Sequence, residues 1–218
     1  MAILTWDKSG ERYYETGVKK GVLYVQSEGS YTNGVVWNGL TAVTESPSGA
    51  EATPLYADDI KYMELRSAEE FGATIEAYTY PKEFEACDGS AELVAGVTVG
   101  QQTRSMFGLS YRTVLGNDTE NDAHGYKLHL IYGAMASPSE KAYSTVNDSP
   151  EAITFSWEIT TTPVEVGEGF KPTSCVIVDS TKVSKTAMKK LEDALYGTAE
   201  KEAYLPLPSE LKALLAEG

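Results

Sequence analysis

The chain has 218 residues, of which 42% are hydrophobic, a composition typical of a globular protein rather than a disordered one. Its 32 acidic and 18 basic residues give a formal net charge of −14. This excess of acidic residues argues against a surface that binds nucleic-acid phosphates, because nucleic-acid affinity comes mainly from lysine and arginine. No apolar run approaches the roughly 20 residues of a membrane span, and the N-terminus lacks a signal peptide's basic start and apolar middle. We therefore expect a soluble protein made in the cytosol, with no membrane partner.

Two residue types narrow the class of protein further. Cys87 and Cys175 are far apart in the sequence, which favours two free cysteines in a reducing compartment over a disulfide. The chain has 14 tyrosines against five phenylalanines. Tyrosine suits half-exposed sheet faces and interfaces, where one end of the ring is apolar and the other is wet.

The first third of the chain predicts short strands separated by turns. Residues 1–10 are predicted as an N-terminal arm. Residues 12–15 and 21–26 are predicted as two strands joined by a hairpin or a tight connection. Residues 35–44 are rich in β-branched side chains and predict one strand, in which Asn38-Gly39 indicates a bulge.

Residues 45–57 contain two prolines and a glycine among small polar residues, and they predict a long loop between strands. A structureless loop of about a dozen residues inside a compact domain is usually functional or disordered. Two alternatives stay open for this loop, a floppy insertion and an arm that docks on a neighbouring molecule.

The middle of the chain predicts further strands. Residues 60–66 and 73–80 are predicted as strands, and residues 102–115 and 126–132 as a hairpin around an acidic loop at 116–125. The clearest pattern lies at residues 152–162, between Pro150 and Pro163. There, apolar and polar residues alternate, and the apolar ones are Ile153, Phe155, Trp157 and Ile159. A strand this amphipathic needs a cover over its apolar face.

Towards the C-terminus, the spacing of the apolar residues changes from the two-residue period of a strand to the period of a helix. Residues 175–178 predict a short last strand, and residues 184–196 predict a helix with Ser184 as N-cap and Gly197 just past its end. Residues 198–218 are predicted as a tail, with a short helix, that buries little alone. The predicted fold is a single domain, mainly β, formed by an antiparallel β-sandwich or partly open barrel with one flanking α-helix.

The sequence contains few residues in patterns that are typical of an active site or a metal site. His124 and His129 are the only histidines, and His129 lies on the polar face of a predicted strand, where a structural role is favoured over catalysis. No nucleophile, P-loop, HExxH or paired CxxC motif occurs. Residues 117–122 resemble the start of a calcium loop, but Ala123 stands where an EF-hand needs glycine. A solvated hairpin tip is favoured there over a metal site, and we expect no enzyme and no cofactor.

Eight stretches follow one another in the order found in one protein family. They are GVLY (21–24), GVVWNGLTAV (34–43), PLYADDIKYMEL (54–65), EEFGATIEAYTYPKEFEACDG (69–89), FGLSYRTVLGND (107–118), HGYKLHLIYGAMASPS (124–139), ITFSWEITTTP (153–163) and KKLEDALYG (189–197). Together they cover most of the chain, and their combination resembles the major tail tube protein of long, non-contractile-tailed bacteriophages of the siphophage type.

The resemblance implies a structural virion protein. Its copies would assemble into stacked rings, commonly hexameric, in which one sheet from each subunit joins a barrel around the lumen. Phage DNA would pass through this tube without specific binding. The implied partners are other copies of the chain and the tape measure, distal tail and terminator proteins, and the implied location is the virion tail, after synthesis in the host bacterial cytoplasm. On this hypothesis the loop at 45–57 stacks the rings, either alone or together with the N- and C-terminal segments, and its candidate residues are Pro47, Gly49, Pro54 and Tyr56.

Three other functions were weighed against the tail tube. A carbohydrate- or receptor-binding β-sandwich of a virion or cell surface would display exposed aromatics, with Trp6, Trp37 and Trp157 as candidates. Trp37 and Trp157 lie in strand patterns, however, and are predicted to belong to the core. A tube of a secretion or contractile system would share the architecture. A hydrolase would need a nucleophile and a base that the sequence does not display.

Overall fold

The structure is a computed structural model that describes residues 3–146, 148–149 and 151–216. Its strands, in chain order, are β1 (Tyr13–Ser27), β2 (Ser30–Tyr31), β3 (Val35–Val36), β4 (Leu40–Glu45), β5 (Ser48–Gly49), β6 (Ala52–Ala57), β7 (Ile60–Arg66), β8 (Glu69–Glu70), β9 (Gly72–Ala77), β10 (Ala91–Val94), β11 (Val97–Val99), β12 (Phe107–Asn117), β13 (Asn121–Ala136), β14 (Phe155–Thr161) and β15 (Cys175–Asp179). Its helices are α1 (Glu85–Asp88), α2 (Lys185–Tyr196) and α3 (Pro208–Leu215). Pro150, which was predicted to open the strand at 152–162, lies outside the described residues.

Nine of these strands form one antiparallel sheet that curls into a partly open barrel. The order along the sheet is β2, β1, β12, β13, β14, β9 and β4, with β3 beside β1 and β15 beside β13. The last strand of the sheet, β4, comes back close to β1, since a Cβ atom added to Gly21 of β1 would lie 2.9 Å from Leu40 of β4. Among the described strands no ladder joins β4 to β1, so the barrel stays open there. The predicted fold class is confirmed.

The inside of the curled sheet holds an aromatic core. Trp157 of β14 has no exposed surface, and its ring centroid lies 5.0 Å from that of Phe84 and 5.8 Å from that of Trp37. Trp157 and Ile159 are buried while Glu158 between them is exposed, as the alternation at 152–162 predicts. The prediction that Trp37 and Trp157 belong to the core is confirmed. The members of this barrel core that are buried are Leu23, Trp37, Ala73, Ile75, Ala77, Phe84, Cys87, Phe107, Leu109, Tyr111, Ile131, Ala134, Ala136, Trp157 and Ile159.

A second core lies on the outer side of the sheet, under α2 and α3. Ser184 caps α2 by accepting a hydrogen bond from the N–H of Ala187 at 3.2 Å, and Leu191 and Leu195 of this helix are fully buried. The predicted helix at 184–196 is thereby confirmed. The members of this helix-side core that are buried are Val22, Tyr24, Tyr31, Leu128, Leu130, Tyr132, Val178, Met188, Leu191, Leu195, Leu205 and Leu211.

The C-terminal tail, described as far as residue 216, buries apolar residues against the rest of the chain. Leu205 and Leu211 are members of the helix-side core, and the Tyr132 hydroxyl donates to the carbonyl oxygen of Pro206 at 2.8 Å. The N–H of Leu205 also donates to the carbonyl oxygen of Tyr31 at 2.9 Å. Packing in the helix-side core buries Leu205 and Leu211, and the two hydrogen bonds satisfy backbone groups of the tail that this packing removes from water.

Two predicted strand boundaries are wrong in the first third of the chain. Residues 12–15 and 21–26 were predicted as separate strands. All of them except Arg12 belong to the single strand β1, whose register against β12 shifts on both sides of Lys19. Gly17 and Lys20 take positive φ angles of 71° and 55° there, so the strand absorbs its extra residues as bulges and does not turn back. Residues 35–44, predicted as one strand, form β3 and β4 around a turn at Asn38-Gly39.

The prediction of a long loop at 45–57 is also wrong, because most of this segment is strand. Residues 48–49 pair with β8, and residues 52–57 pair with β7. The two prolines permit this because they need not donate to a ladder: Pro47 precedes β5 and Pro54 lies in a two-stranded ribbon with open edges.

Other predictions are confirmed. β7 and β15 lie where strands were expected, and Cys87 and Cys175 are free. β12 and β13 form the expected hairpin, but β12 begins at Phe107 and not at residue 102. The acidic loop expected at 116–125 is reduced to a turn at residues 118–120, since both strands of the hairpin continue into it. In that turn the Asn117 side-chain oxygen accepts from the N–H of Glu120 at 2.6 Å.

Candidate functional site

Part of the sheet extends past the barrel as a segment of four strands. This four-stranded segment comprises residues 13–19 of β1, residues 112–117 of β12, residues 121–131 of β13, and β15, in that order. Its outer face is covered by α2 and α3 in the helix-side core. Its opposite face carries no covering element over its outermost strands, and both of its edges end without a strand partner among the described residues.

The first edge of the segment is β15. Backbone bonds of Ser180 to Tyr126 and of Tyr132 to Ser174 fix which residues of β15 face β13. Because hydrogen-bonded and non-hydrogen-bonded pairs alternate along an antiparallel ladder, the N–H and C=O groups of Ile177 point away from β13. Ile177 is also 48% exposed. This edge therefore offers unused backbone hydrogen-bonding groups.

The second edge is the first half of β1. Residues 13–16 pair with β12 on one side, whereas β2 and β3 pair with β1 only from Val22 onwards. All four residues are exposed, with Tyr13 at 62%. A long strand with an open, exposed edge is a site where another chain can pair.

The uncovered face of the segment carries alternate side chains with mixed charge. Lys127 of β13 contacts Glu15 of β1 at 2.5 Å, and Thr113 of β12 also donates to Glu15. Burial disfavours the charged form of Glu15, but these hydrogen bonds outweigh it and hold its pKa below the ordinary value. Asp179 of β15 adds a second carboxylate, and hydrogen bonds from the hydroxyl and N–H of Thr181 likewise outweigh burial and lower its pKa. The face therefore combines charged groups with the half-exposed side chain of Ile177, and Lys127 is neutralised by a carboxylate.

The second candidate surface is an arm that we define as residues 48–70. Its base is the short pair of β5 and β8, and its outer part is the hairpin of β6 and β7. The tip is the two-residue turn Asp58-Asp59, with φ angles of 51° and 60°, the positive pair that a tight type I′ hairpin turn requires. At about 3.3 Å per residue, the six residues of β6 span roughly 20 Å.

Every residue of β6 and β7 is exposed, although the hairpin carries many apolar side chains. They are Leu55, Tyr56, Ile60, Tyr62, Met63 and Leu65. An isolated two-stranded hairpin is marginally stable in water, and exposed apolar patches mark interaction sites. The arm also has six acidic and two basic residues. Its surface is thus both apolar and acidic, and it lacks a partner within the described chain.

The four residues singled out for ring stacking all lie at the arm. Pro47 connects β4 to the base, and Gly49 pairs with Glu69 in the base at a φ of 81°. A Cβ atom at Gly49 would lie 2.3 Å from the carbonyl oxygen of Ala68, so glycine allows the two strands of the base to approach. Pro54 and Tyr56 lie on β6, and Tyr56 is 71% exposed.

The two free edges of the four-stranded segment were missed by the sequence analysis. Nothing local distinguishes residues 13–16 or β15 from strands paired on both sides, because being an edge depends on the topology of the whole sheet. The alternative of a carbohydrate- or receptor-binding β-sandwich requires exposed tryptophans. Of its three candidates, Trp37 and Trp157 are buried, and Trp6 is 78% exposed.

Residues 3–146, 148–149 and 151–216 present neither a cluster of metal ligands nor a membrane-spanning helix. They contain no group of three or more His, Cys, Asp or Glu side chains placed to hold a metal ion. Within the same residues, no helix has the length and apolarity to cross a lipid bilayer.

Comparison with known proteins gives weak likenesses. No protein-family model and no curated protein matches the sequence. One similar solved structure is the sheath-tube complex of an extracellular contractile injection system (PVC) in its extended state, at 13% identity and a TM-score of 0.33, covering 80% of this chain and 93% of that one. Another is the sheath/tube terminator of such a system, at 10% identity and a TM-score of 0.29, covering 81% and 99%. The function of this chain has to be argued from its own surfaces.

Proposed function

We propose that the chain is the repeating subunit of a siphophage-type tail tube, in which copies close into rings and the rings stack into the conduit for phage DNA. The proposal joins the sequence resemblance to two surfaces, the free edges of the four-stranded segment and the arm. The main observation that supports the proposal is that two free strand edges lie at opposite sides of the four-stranded segment. The role is structural and includes no catalytic step.

Ring closure follows from the strand directions. The four strands of the segment alternate in direction, so β15 runs opposite to β1. When β15 of one copy lies beside residues 13–16 of the next, the new pair is therefore antiparallel, like every other pair in the sheet. The same step can be repeated from copy to copy until the ring closes, which leaves no edge exposed.

The number of strands sets the width of the channel. With four strands from each of six copies, the number of copies that the family resemblance implies, the barrel would contain 24 strands. Barrels of 16–18 strands already leave an aqueous channel. Because α2 and α3 cover the outer face, the face with Glu15, Lys127 and Asp179 would line the lumen.

Such a lining suits a duplex that must slide. DNA carries about one negative charge per 1.7 Å of its axis, and lysine and arginine hold it by neutralising phosphates. In the proposed lumen the ammonium of Lys127 is already paired with Glu15, and Asp179 is negative. DNA would therefore meet weak repulsion and no cluster of cations.

We assign the stacking of one ring on the next to the arm. Its exposed apolar side chains need cover, and a hairpin about 20 Å long can reach beyond the sheet that bears it. In the proposed tube the arm docks on a subunit of the adjacent ring. The tape measure, distal tail and terminator proteins would join at the ends of the tube, and the assembled protein would reside in the virion tail.

The ring edge can be tested with a pair of substitutions at Ile177. Ile177→Pro removes an N–H group that faces away from β13, whereas Ile177→Ala keeps this group and removes the same side chain. Concentrated protein is examined by negative-stain electron microscopy, and circular dichroism verifies that both variants fold. We expect tubes from wild type and Ile177→Ala and none from folded Ile177→Pro. Tubes of normal yield from Ile177→Pro would contradict edge pairing at β15.

A further inference from the structure

A groove with mainly apolar walls runs beside the free edge of β15, on the outer side of the sheet. Its volume is about 490 Å³, and it is bounded by β15, by the residues that lead into α2, and by α3. Val178, Val183 and Leu215 each belong to one of these walls. Apolar surface next to a free strand edge is a site where another chain can pack.

The strand expected beside this groove is the segment 13–16 of β1 in the next copy, and its backbone has a defined orientation. The N–H of Gln26 donates to the carbonyl oxygen of Met106, so every second residue of β12, counted from Met106, directs its hydrogen-bonding groups at β1. Both register shifts insert their extra residue in β1, so this alternation continues along β12 to Gly116, which pairs with Tyr14. The backbone groups of Tyr14 are therefore used by β12, and those of its two neighbours in β1 point away from β12.

Tyr14 has its side chain on the outer face of the sheet. A Cβ atom at Gly116, directly opposite, would lie 2.2 Å from the Tyr14 ring, so the ring covers this glycine. Arg112, four residues before Gly116 and on the same face, contacts Glu192 of α2 at 3.8 Å. Because side chains along a strand alternate, Tyr14 lies on the helix-covered face and Glu15 on the other. Tyr14 is nevertheless 42% exposed.

The backbone and the side chains agree on how two copies would meet. The free backbone groups of β15 belong to Ile177 and its alternate neighbours, so the residues that would bond to them are the two neighbours of Tyr14. Tyr14 then stands in a non-hydrogen-bonded pair with Val176 or Val178, depending on the register, and such pairs bring side chains closest together. Both valines line the groove. The ring of Tyr14 therefore reaches the groove in either register.

The charges beside the ring and around the groove are complementary. The Tyr14 hydroxyl donates to the carboxylate of Asp122 at 2.9 Å, so this carboxylate accompanies the ring. Among the residues that line the groove, Lys182 and Lys212 outnumber the one carboxylate, that of Asp179. A carboxylate that meets two lysines at the border of an apolar contact favours the correct partner and orientation.

We propose that the groove is the docking site for Tyr14 of the next copy in the ring, so that α3 becomes part of the contact between subunits. The inference rests on the proposed function, and it adds the side chains that secure the strand pairing described there. Backbone hydrogen bonds replace bonds to water and each adds little net free energy, whereas an aromatic side chain buries a large apolar area. A tyrosine held in a pocket is a typical anchor of a protein interface.

A double-mutant cycle across the two surfaces tests the docking. The variants are Tyr14→Ala, Leu215→Ala and the two combined. Sedimentation velocity gives the dissociation constant for self-association, and circular dichroism verifies folding. Leu214→Ala is the matched control, because Leu214 is also a half-buried leucine of α3 but does not line the groove. Val183→Ala, in another wall of the groove, replaces Leu215→Ala should that variant fold poorly.

We expect Tyr14→Ala to weaken self-association about tenfold and Leu215→Ala about fivefold, as for the anchor of an interface and a residue of its pocket. The double variant should also lose about tenfold, and not the roughly fiftyfold of two independent sites, because both substitutions remove the same contact. Leu214→Ala should change the dissociation constant by less than about twofold. Losses that multiply in the double variant, or no loss from Tyr14→Ala, would overturn the inference.

Electron micrographs of the same samples separate this inference from the proposed function. Tubes that form while the two losses multiply would leave the tail tube standing and refute docking in the groove. Coupled losses in small oligomers that never extend into tubes would support the groove and count against the tail tube. A wild-type chain that stays monomeric at high concentration would overturn both.

Discussion

The indole of Trp157 lies at the centre of the barrel core, where it contacts side chains from three parts of the chain. Its ring packs against Trp37 and Phe84, and its Nε1 atom donates to the carboxylate of Asp88 at 3.2 Å. Asp88 is itself buried and also pairs with Lys141 at 2.5 Å. One side chain therefore links β14 both to the aromatic core and to the charged pair that borders it.

Replacing this residue tests how much the core depends on it. Trp157→Ala should lower the free energy of unfolding by about 3–5 kcal/mol, because it leaves a cavity and removes a hydrogen bond from buried Asp88. Trp6→Ala, at a residue that is 78% exposed, is the control and should change it by less than about 0.5 kcal/mol. Urea unfolding followed by fluorescence and circular dichroism gives both values. Similar losses in the two variants would show that the barrel core is organised differently.

At the scale of elements, the arm and the body of the subunit are held by different interactions. The body has two apolar cores that share the sheet, whereas β6 and β7 contribute no member to either core. The arm is joined to the body through β5, β8 and the contacts of Glu45 with Tyr111 and His129. Its removal should therefore affect assembly without affecting the stability of the fold.

Replacing residues 52–66 with a two-residue Asn-Gly turn tests this separation. The free energy of unfolding should change by less than about 1 kcal/mol, because only exposed side chains are removed. Rings or short oligomers should persist in electron micrographs, and long tubes should disappear. The matched control is the same replacement in the other exposed hairpin, of β10 and β11, which carries Leu93 and Val94 at its surface. Long tubes from the arm variant, or their loss only in the control, would contradict the stacking role.

At the scale of the whole molecule, charge governs what the assembled protein can contact. The formal net charge of −14 opposes the approach of two subunits, whereas the proposed edge pairing and arm docking would act only over short distances. Self-association should therefore become stronger as added salt screens the repulsion. A conduit also requires that this charge prevents DNA from binding to the lumen.

Binding of duplex DNA can be measured directly on subunits and on tubes. We expect no retention of a fluorescent duplex at about 150 mM salt, because the face assigned to the lumen presents to phosphates the carboxylate of Asp179 and a lysine that is already paired with Glu15. Fluorescence anisotropy and filter binding provide the measurement, with a lysine-rich protein as positive control. A micromolar affinity that weakens steeply with salt would contradict the conduit.

Features set by neighbouring residues were predictable from the sequence. The alternation at 152–162 predicted that Trp157 and Ile159 would be buried, because side chains along a strand alternate between its faces. Ser184 and the apolar stripe after it predicted α2 within one residue. The fold class, mainly β with one flanking helix, followed from such local patterns.

Features set by distant residues were decided only by the tertiary structure. The segment at 45–57 is largely strand because β7 and β8 pair with it, and its own composition of proline, glycine and small residues indicates a loop. The tail is buried because its leucines pack in the helix-side core, where tyrosines from β2 and β13 also bond its backbone. The contacts of His129 join residues more than 80 positions apart. Local patterns specify which way a side chain faces, but partners, edges and cross-barrel contacts depend on which strands meet, and only the folded chain brings them together.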